Sequence, residues 1–242
     1  MMHLPFEQFP ALSTIKICRH VFAQRIPGID VSHDKADVLQ RLEAAHREIR
    51  NATGFGDWPL FTAQQVHGNK IAVIDEVGSA LRADHGRRVA ASQPSRKFPA
   101  CDGIITDQCG VALGIYVADC CAVYMVDPKT PAIGLVHSGR KGTELGVVTN
   151  AIRQMTEHFG SDPAEIIVQV SPCIRPPHYE IDFAAEIIRQ CRALGVEHIH
   201  DSGTCTACDL SDYYSYRAEK GKTGRMLALL GLEPPVRSSV SR

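Results

Sequence analysis

The 242-residue chain is 44% hydrophobic and 22% charged, enough apolar material to bury a full core, and residues 1–242 are expected to form a single domain. A net charge of -1 gives no general attraction to nucleic acid or to an anionic membrane, so neither is expected as a partner. No stretch approaches the roughly 18–20 apolar residues of a membrane span, and nine cysteines, an odd number in a chain too long to need staples, point to reduced thiols. The expectation is a soluble, cytoplasmic protein, a monomer or small homo-oligomer.

The first strand-like run is IKICRHVF at 15–22. Next, SHDKADVLQRLEAAHREIR at 32–50 places Val38, Leu42, Ala45 and Ile49 on one helical face, with Ser32 or Asp34 able to cap. Further strand-length runs are LFTAQQVH (60–67) and KIAVIDEV (70–77). The polar, basic stretch from Gly78 to Pro99 has no periodicity and reads as a long surface loop. DGIITD, VALGIYVAD, CAVYMVD, AIGLVHS and EIIVQVS then follow as apolar, often β-branched strands bounded by Gly, Pro or Asp.

Two amphipathic helices complete the pattern. One runs from Thr143 with Leu145, Val148, Ile152, Met155 and Phe159 on one face, and the other starts at a capping Asp182 and ends at Gly195. Connections between strands from 103 to 137 are too short for crossover helices, which predicts antiparallel pairing there with helices gathered on the outer faces. The expected class is α+β, with mixed, largely antiparallel sheets covered by helices in an α/β/β/α layering.

Three segments carry chemistry. His67 follows QQV and precedes Gly68, where a strand should end and the backbone turn. Cys120 stands between two apolar runs beside Asp119, and His137 ends the next strand, 17 residues beyond Cys120, so a hairpin would bring the two together. Two imidazoles and one thiolate make a ligand set for zinc or copper with one coordination position to spare, or, without metal, a nucleophilic cysteine with its base. Gly139 and Gly142 flank Arg140 and Lys141 ahead of the following helix, and two cations beside free backbone N–H groups suit an anion such as phosphate.

These segments, together with DGIITDQCGVALGIYVADCCAVYMVD, VSPCIRPPHYEID and CTACDLSDYYSYRAEKGKTGR, resemble the bacterial laccase-domain or polyphenol-oxidase-like family over roughly residues 60 to 225. The resemblance implies a purine nucleoside phosphorylase with adenosine deaminase activity, acting on a small-molecule nucleoside and phosphate. It implies a metal, usually zinc, on His67, Cys120 and His137, and sets Arg41 where the family has the arginine of an Asn-Arg pair, with Gln40 replacing the asparagine. The family's His-Ala-Gly-Trp-Arg-Gly is here HSGRKG, so Arg140 stands in place of a tryptophan and Lys141 in place of an arginine. Ser171 and His178 likewise replace the more usual Gly and Cys.

Competing readings are a copper polyphenol oxidase on the same ligands and a metal-free hydrolase or deamidase with Cys120 as nucleophile, His137 as base and His67 as orienter or spectator. GKTG at 221–224 resembles the end of a phosphate-binding loop, but Tyr216 occupies the position where that loop needs its first glycine. His198, His200, Cys205 and Cys208 offer enough ligands for a second, structural zinc, though with only one C-x-x-C.

Overall fold

The computed structural model describes residues 4–74 and 96–234. Two six-stranded sheets lie face to face. The strands are β1 (Phe6–Glu7), β2 (Cys18–Ala23), β3 (Leu60–Ala63), β4 (Ile71–Ile74), β5 (Arg96–Phe98) and β6 (Gly103–Thr106). They continue as β7 (Ala112–Val117), β8 (Cys121–Asp127), β9 (Ala132–Ser138), β10 (Ile167–Val170), β11 (His198–Asp201) and β12 (Met226–Leu232). The first sheet has the order β1-β2-β12-β7-β3-β5 and the second β11-β10-β8-β9-β6-β4. Among the described residues, six of the ten strand pairings are antiparallel, which makes this the mixed α+β arrangement expected.

Strand periodicity explains the layering. Along β8, Ala122, Tyr124 and Val126 join the core shared with the first sheet, while Cys121, Val123 and Met125 face a second core with the helices. Both faces are covered, so the strand reads as a continuous apolar run. Tyr124 is fully buried, and its hydroxyl donates to the Val21 carbonyl of β2 at 2.8 Å, tying one sheet to the other.

The helices are α1 (Pro10–Ser13), α2 (Lys35–Ala52), α3 (Arg140–Glu144), α4 (Val147–Phe159) and α5 (Phe183–Ala193). Asp34 caps α2, its carboxylate accepting from the Ala36 and Asp37 N–H groups, an interaction typically worth ~1 kcal/mol. Val38, Leu42 and Ile49 bury toward the first sheet, and His46, not Ala45, fills the remaining inward position. The apolar faces of α4 and α5 cover the second sheet.

Three expectations are corrected, and one strand is added that the sequence pattern did not announce. The helix predicted from Thr143 to Phe159 is two helices, because Gly146 takes φ +70° between α3 and α4 and leaves Leu145 47% exposed. The short links 106–112 and 117–121 do not make hairpins; each crosses to the other sheet, and of the consecutive strands in this region only β8 and β9 pair. Within the basic stretch, Arg96–Phe98 pairs in parallel with β3, while 75–95 lie outside the described residues. Finally, β12 occupies the middle of the first sheet although MLALLGL, rich in leucine and poor in β-branching, carries little strand signal.

Two buried histidines make stability depend on pH. Burial pushes His20 and His46 down to about 4, and the Phe9 N–H donates to His20 Nε2 at 2.7 Å, a bond that needs the neutral ring. Unfolded histidine titrates near ~6.5. As pH falls from there toward about 4, the unfolded state takes up protons that the folded state does not, so stability falls across that window. Urea midpoints followed over this range should drop more steeply for the wild-type protein than for His46→Leu, and parallel profiles would contradict the assignment.

Candidate metal centre

One buried carboxylate assembles the site. After β3 the chain turns through two residues in the left-handed region, Gln65 (φ +63°) and His67 (φ +59°). Gln65 compensates by imitating a strand: its side-chain amide donates to the Tyr116 carbonyl at 2.5 Å and accepts from the Tyr116 N–H at 3.0 Å. The Asp102 side chain, wholly buried just before β6, then accepts the N–H groups of Val66 (3.3 Å), His67 (2.7 Å) and Gly68 (2.7 Å).

The same carboxylate reaches the second histidine. His137 Nδ1 lies 2.9 Å from Asp102 Oδ1, and the His137 N–H donates to the Asp102 carbonyl at 2.6 Å. By strand parity His137 points between the sheets with Ile133 and Leu135, at the end of β9. The β8–β9 register places Ala122 opposite His137, so Cys120, just before β8, arrives beside it. Burial opposes ionisation of Asp102, but the hydrogen bonds from His137 and the Gly68 and His67 amides hold its carboxyl below the usual range.

Asp119 sets the direction of Cys120. It adopts φ +81°, and its nearly buried carboxylate accepts from Thr206 Oγ1 at 2.8 Å and from the Arg217 N–H at 2.6 Å. Cys120 Sγ lies 3.9 Å from His67 Nε2, and the donor atoms of His67, Cys120 and His137 all fall within 4.8 Å of one another. Gly139 leaves room beside them, since a Cβ there would sit 2.5 Å from Cys120 Sγ and push the sulfur aside.

These residues fit a metal ion. Tetrahedral zinc with Zn–S of about 2.3 Å and Zn–N of about 2.0–2.1 Å separates sulfur from nitrogen by roughly 3.6 Å, close to the spacing found. With Nδ1 engaged by Asp102, His137 presents Nε2, the arrangement in which a carboxylate orients a metal-binding imidazole. Burial works against a thiolate at Cys120, yet the adjacent His137 and hydrogen bonds from His137 and His67 bring it down to about 6. His137 responds in the opposite sense, up to about 9, because Cys120 and Asp102 outweigh the effect of burial.

The three residues line a cavity of about 620 Å³. Arg140 also lines it, half-exposed and paired with Glu144 at 2.9 Å. Lys141 is exposed on α3 and does not line it; nor does Arg41, whose side chain is 45% exposed and 3.7 Å from Asp30. The structure brings instead Lys35, at the start of α2, and Arg225, just before β12, with Arg217 and Lys220. Among the described residues neither Lys35 nor Arg225 has a carboxylate within ion-pair distance. Burial lowers the pKa of both, and Arg225 lowers that of Lys35 further.

Local sequence reading missed Asp102, Lys35 and Arg225. Asp102 stands in the quoted DGIITD run as an acid at the start of a buried strand, which was the available signal; the two cations had none, because distant pairings bring them together.

The family model described as multi-copper polyphenol oxidoreductase laccase matches residues 19–186 and 177–233. Among curated relatives, purine nucleoside phosphorylase YlmD of Geobacillus stearothermophilus is 28% identical over 87% of this chain and 84% of its own length. The protein of the same name from Bacillus subtilis is 29% identical over 85% and 81%. The crystal structure of YlmD from Geobacillus stearothermophilus superposes with a TM-score of 0.74 at 23% identity, covering 95% of this chain and 99% of that one, a likeness of fold. The Bacillus licheniformis protein YfiH superposes with a TM-score of 0.70.

Replacing Asp102 by Asn removes the orienting charge while keeping the shape. Zinc affinity by chelator competition is expected to fall ~10–100-fold, and Gly139→Ala, which displaces the Cys120 sulfur, should also weaken it. Unchanged affinity in both folded variants would contradict the supporting roles given to Asp102 and Gly139.

Proposed function

The chain belongs to the multi-copper polyphenol oxidoreductase laccase family, and from that premise we propose that it is a metal-dependent purine nucleoside phosphorylase. Its substrates are adenosine and related nucleosides with phosphate, its second activity is deamination of adenosine, and its metal is zinc, with copper as the alternative. The observation that carries this reading is the pair of cations, Lys35 and Arg225, that line the same cavity as the His67, Cys120 and His137 centre and, among the described residues, have no carboxylate within ion-pair distance. The names of the relatives support the same substrate class.

The cavity volume is in the range of small-molecule sites, which are commonly about 300–1,000 Å³. Lys35 and Arg225 hold the phosphate dianion, with Arg140 at the rim. Holding the nucleophile against the anomeric carbon lowers the entropic part of the barrier as phosphorolysis forms a carbon–oxygen bond and the glycosidic carbon–nitrogen bond breaks. The departing base carries developing negative charge, which the surrounding cations stabilise. Tyr116, Tyr179 and Tyr216 line the cavity and give flat surfaces for a purine, a role open to them where Arg140 replaces the family's tryptophan. A divalent ion on His67, Cys120 and His137 supplies Lewis-acid chemistry there.

A second reading is favoured by one observation. Cys120, His137 and Asp102 also have the order of a nucleophile, its base and an orienting carboxylate, with Asp102, not His67, as the orienter. Chelation separates the readings, because a cysteine hydrolase keeps its activity without metal.

Adenosine should be cleaved to adenine only when phosphate is present, and deaminated without it. Truncating Lys35 or Arg225 to Ala should weaken apparent phosphate affinity by ~10- to 150-fold, the equivalent of ~1.5–3 kcal/mol for a charge-assisted contact. Arg41→Ala and Lys141→Ala should change it little. Phosphate-independent cleavage, or rapid phenol oxidation by copper-loaded protein with no nucleoside turnover, would overturn the proposal.

A further inference from the structure

A second group of soft donors stands apart from the cavity centre. Two loops meet there, one leaving β10 and one leaving β11. They are stitched together by the Cys173 N–H donating to the Thr204 carbonyl at 3.2 Å and the Thr206 N–H donating to the Cys173 carbonyl at 3.1 Å. The second loop then turns, its Cys208 N–H donating to the Cys205 carbonyl at 3.1 Å, so that both thiols of the C-x-x-C approach one imidazole. His178 Nδ1 lies 3.9 Å from Cys205 Sγ and 3.4 Å from Cys208 Sγ, and the three donor atoms fall within 4.8 Å of one another.

We propose that His178, Cys205 and Cys208 form a second, independent zinc site that staples these two loops. The two sulfur–nitrogen spacings bracket the roughly 3.6 Å set by tetrahedral zinc, and two thiolates with one imidazole are a zinc-type donor set. The fourth position is open to water, because His178 and Cys208 are exposed and the ion has a path from solvent. On binding, each thiol gives its proton to solvent. His198 and His200, the partners expected for this C-x-x-C from sequence, stand exposed on β11 and are not in the cluster.

The staple bears on the cavity wall. Ile174 and Tyr179 of the first loop line the cavity, and Thr206 of the second donates to the Asp119 carboxylate beside Cys120. An ion here therefore fixes the chain on which that wall and the Asp119 turn rest.

Zinc stoichiometry of the full chain tests this, using stripped, fully reduced protein titrated against a chromophoric chelator. The wild-type protein should bind two equivalents, Cys120→Ala one, Cys208→Ser one, and the double variant none. Cobalt(II) gives a second readout: its thiolate charge-transfer band should persist in Cys120→Ala and shrink by more than half in Cys208→Ser. His178→Ala, which alters an exposed side chain, serves if Cys208→Ser fails to fold. One equivalent lost in Cys208→Ser but kept in Cys120→Ala still supports this site. Two equivalents in folded Cys208→Ser or His178→Ala, or no ion in folded Cys120→Ala, overturns it.

Discussion

The buried carboxylate of Asp102 is the interaction on which the centre depends. A charge without solvent is costly unless it is paired and hydrogen-bonded, and here three consecutive backbone amides and one imidazole satisfy it. Those partners come from opposite sides of the site: the amides hold the loop that carries His67, and the imidazole is His137 itself. A single group therefore fixes the backbone of one histidine and the ring of the other. The left-handed turn at His67, unfavourable for a residue with a Cβ, is held by those amide bonds.

The sheets supply the second constraint. Period-two alternation along β9 sends His137 between the layers, and antiparallel register with β8 carries Cys120 to its side. Asp119 plays for Cys120 the part that Asp102 plays for the histidines, gripping a left-handed turn through Thr206 and the Arg217 amide. Both acids link chain segments far apart in sequence. The cationic side of the cavity is likewise composite, with Lys35 from the start of a helix and Arg225 from the approach to a central strand.

What could be read beforehand follows from how local each signal is. Asp34 capping α2, Asp182 capping α5, the hairpin joining Cys120 to His137 and the turn at His67 all depend on neighbours within a few residues or on one short hairpin, and the pattern displayed them. Gly146 was visible, but an apolar period continuing past it hid the break. The leucine-rich β12 is a strand because β2 and β7 offer it both edges, a tertiary reason that propensity does not carry. Lys141 looked equivalent to Arg140 by adjacency, yet successive residues on a helix face different directions, and only Arg140 turns to the cavity. Arg41 followed a faint N-terminal likeness, whereas Lys35, six residues earlier on the same helix, is the one that reaches the site.

The most direct measurement is anomalous diffraction at the zinc edge from crystals of the zinc-loaded protein. A strong peak about 2.0–2.3 Å from His67 Nε2, His137 Nε2 and Cys120 Sγ is predicted, with His137 Nδ1 still bonded to Asp102. An ordered, empty His67, Cys120 and His137 cluster, or an ion bound through His137 Nδ1 with Asp102 released, would contradict it.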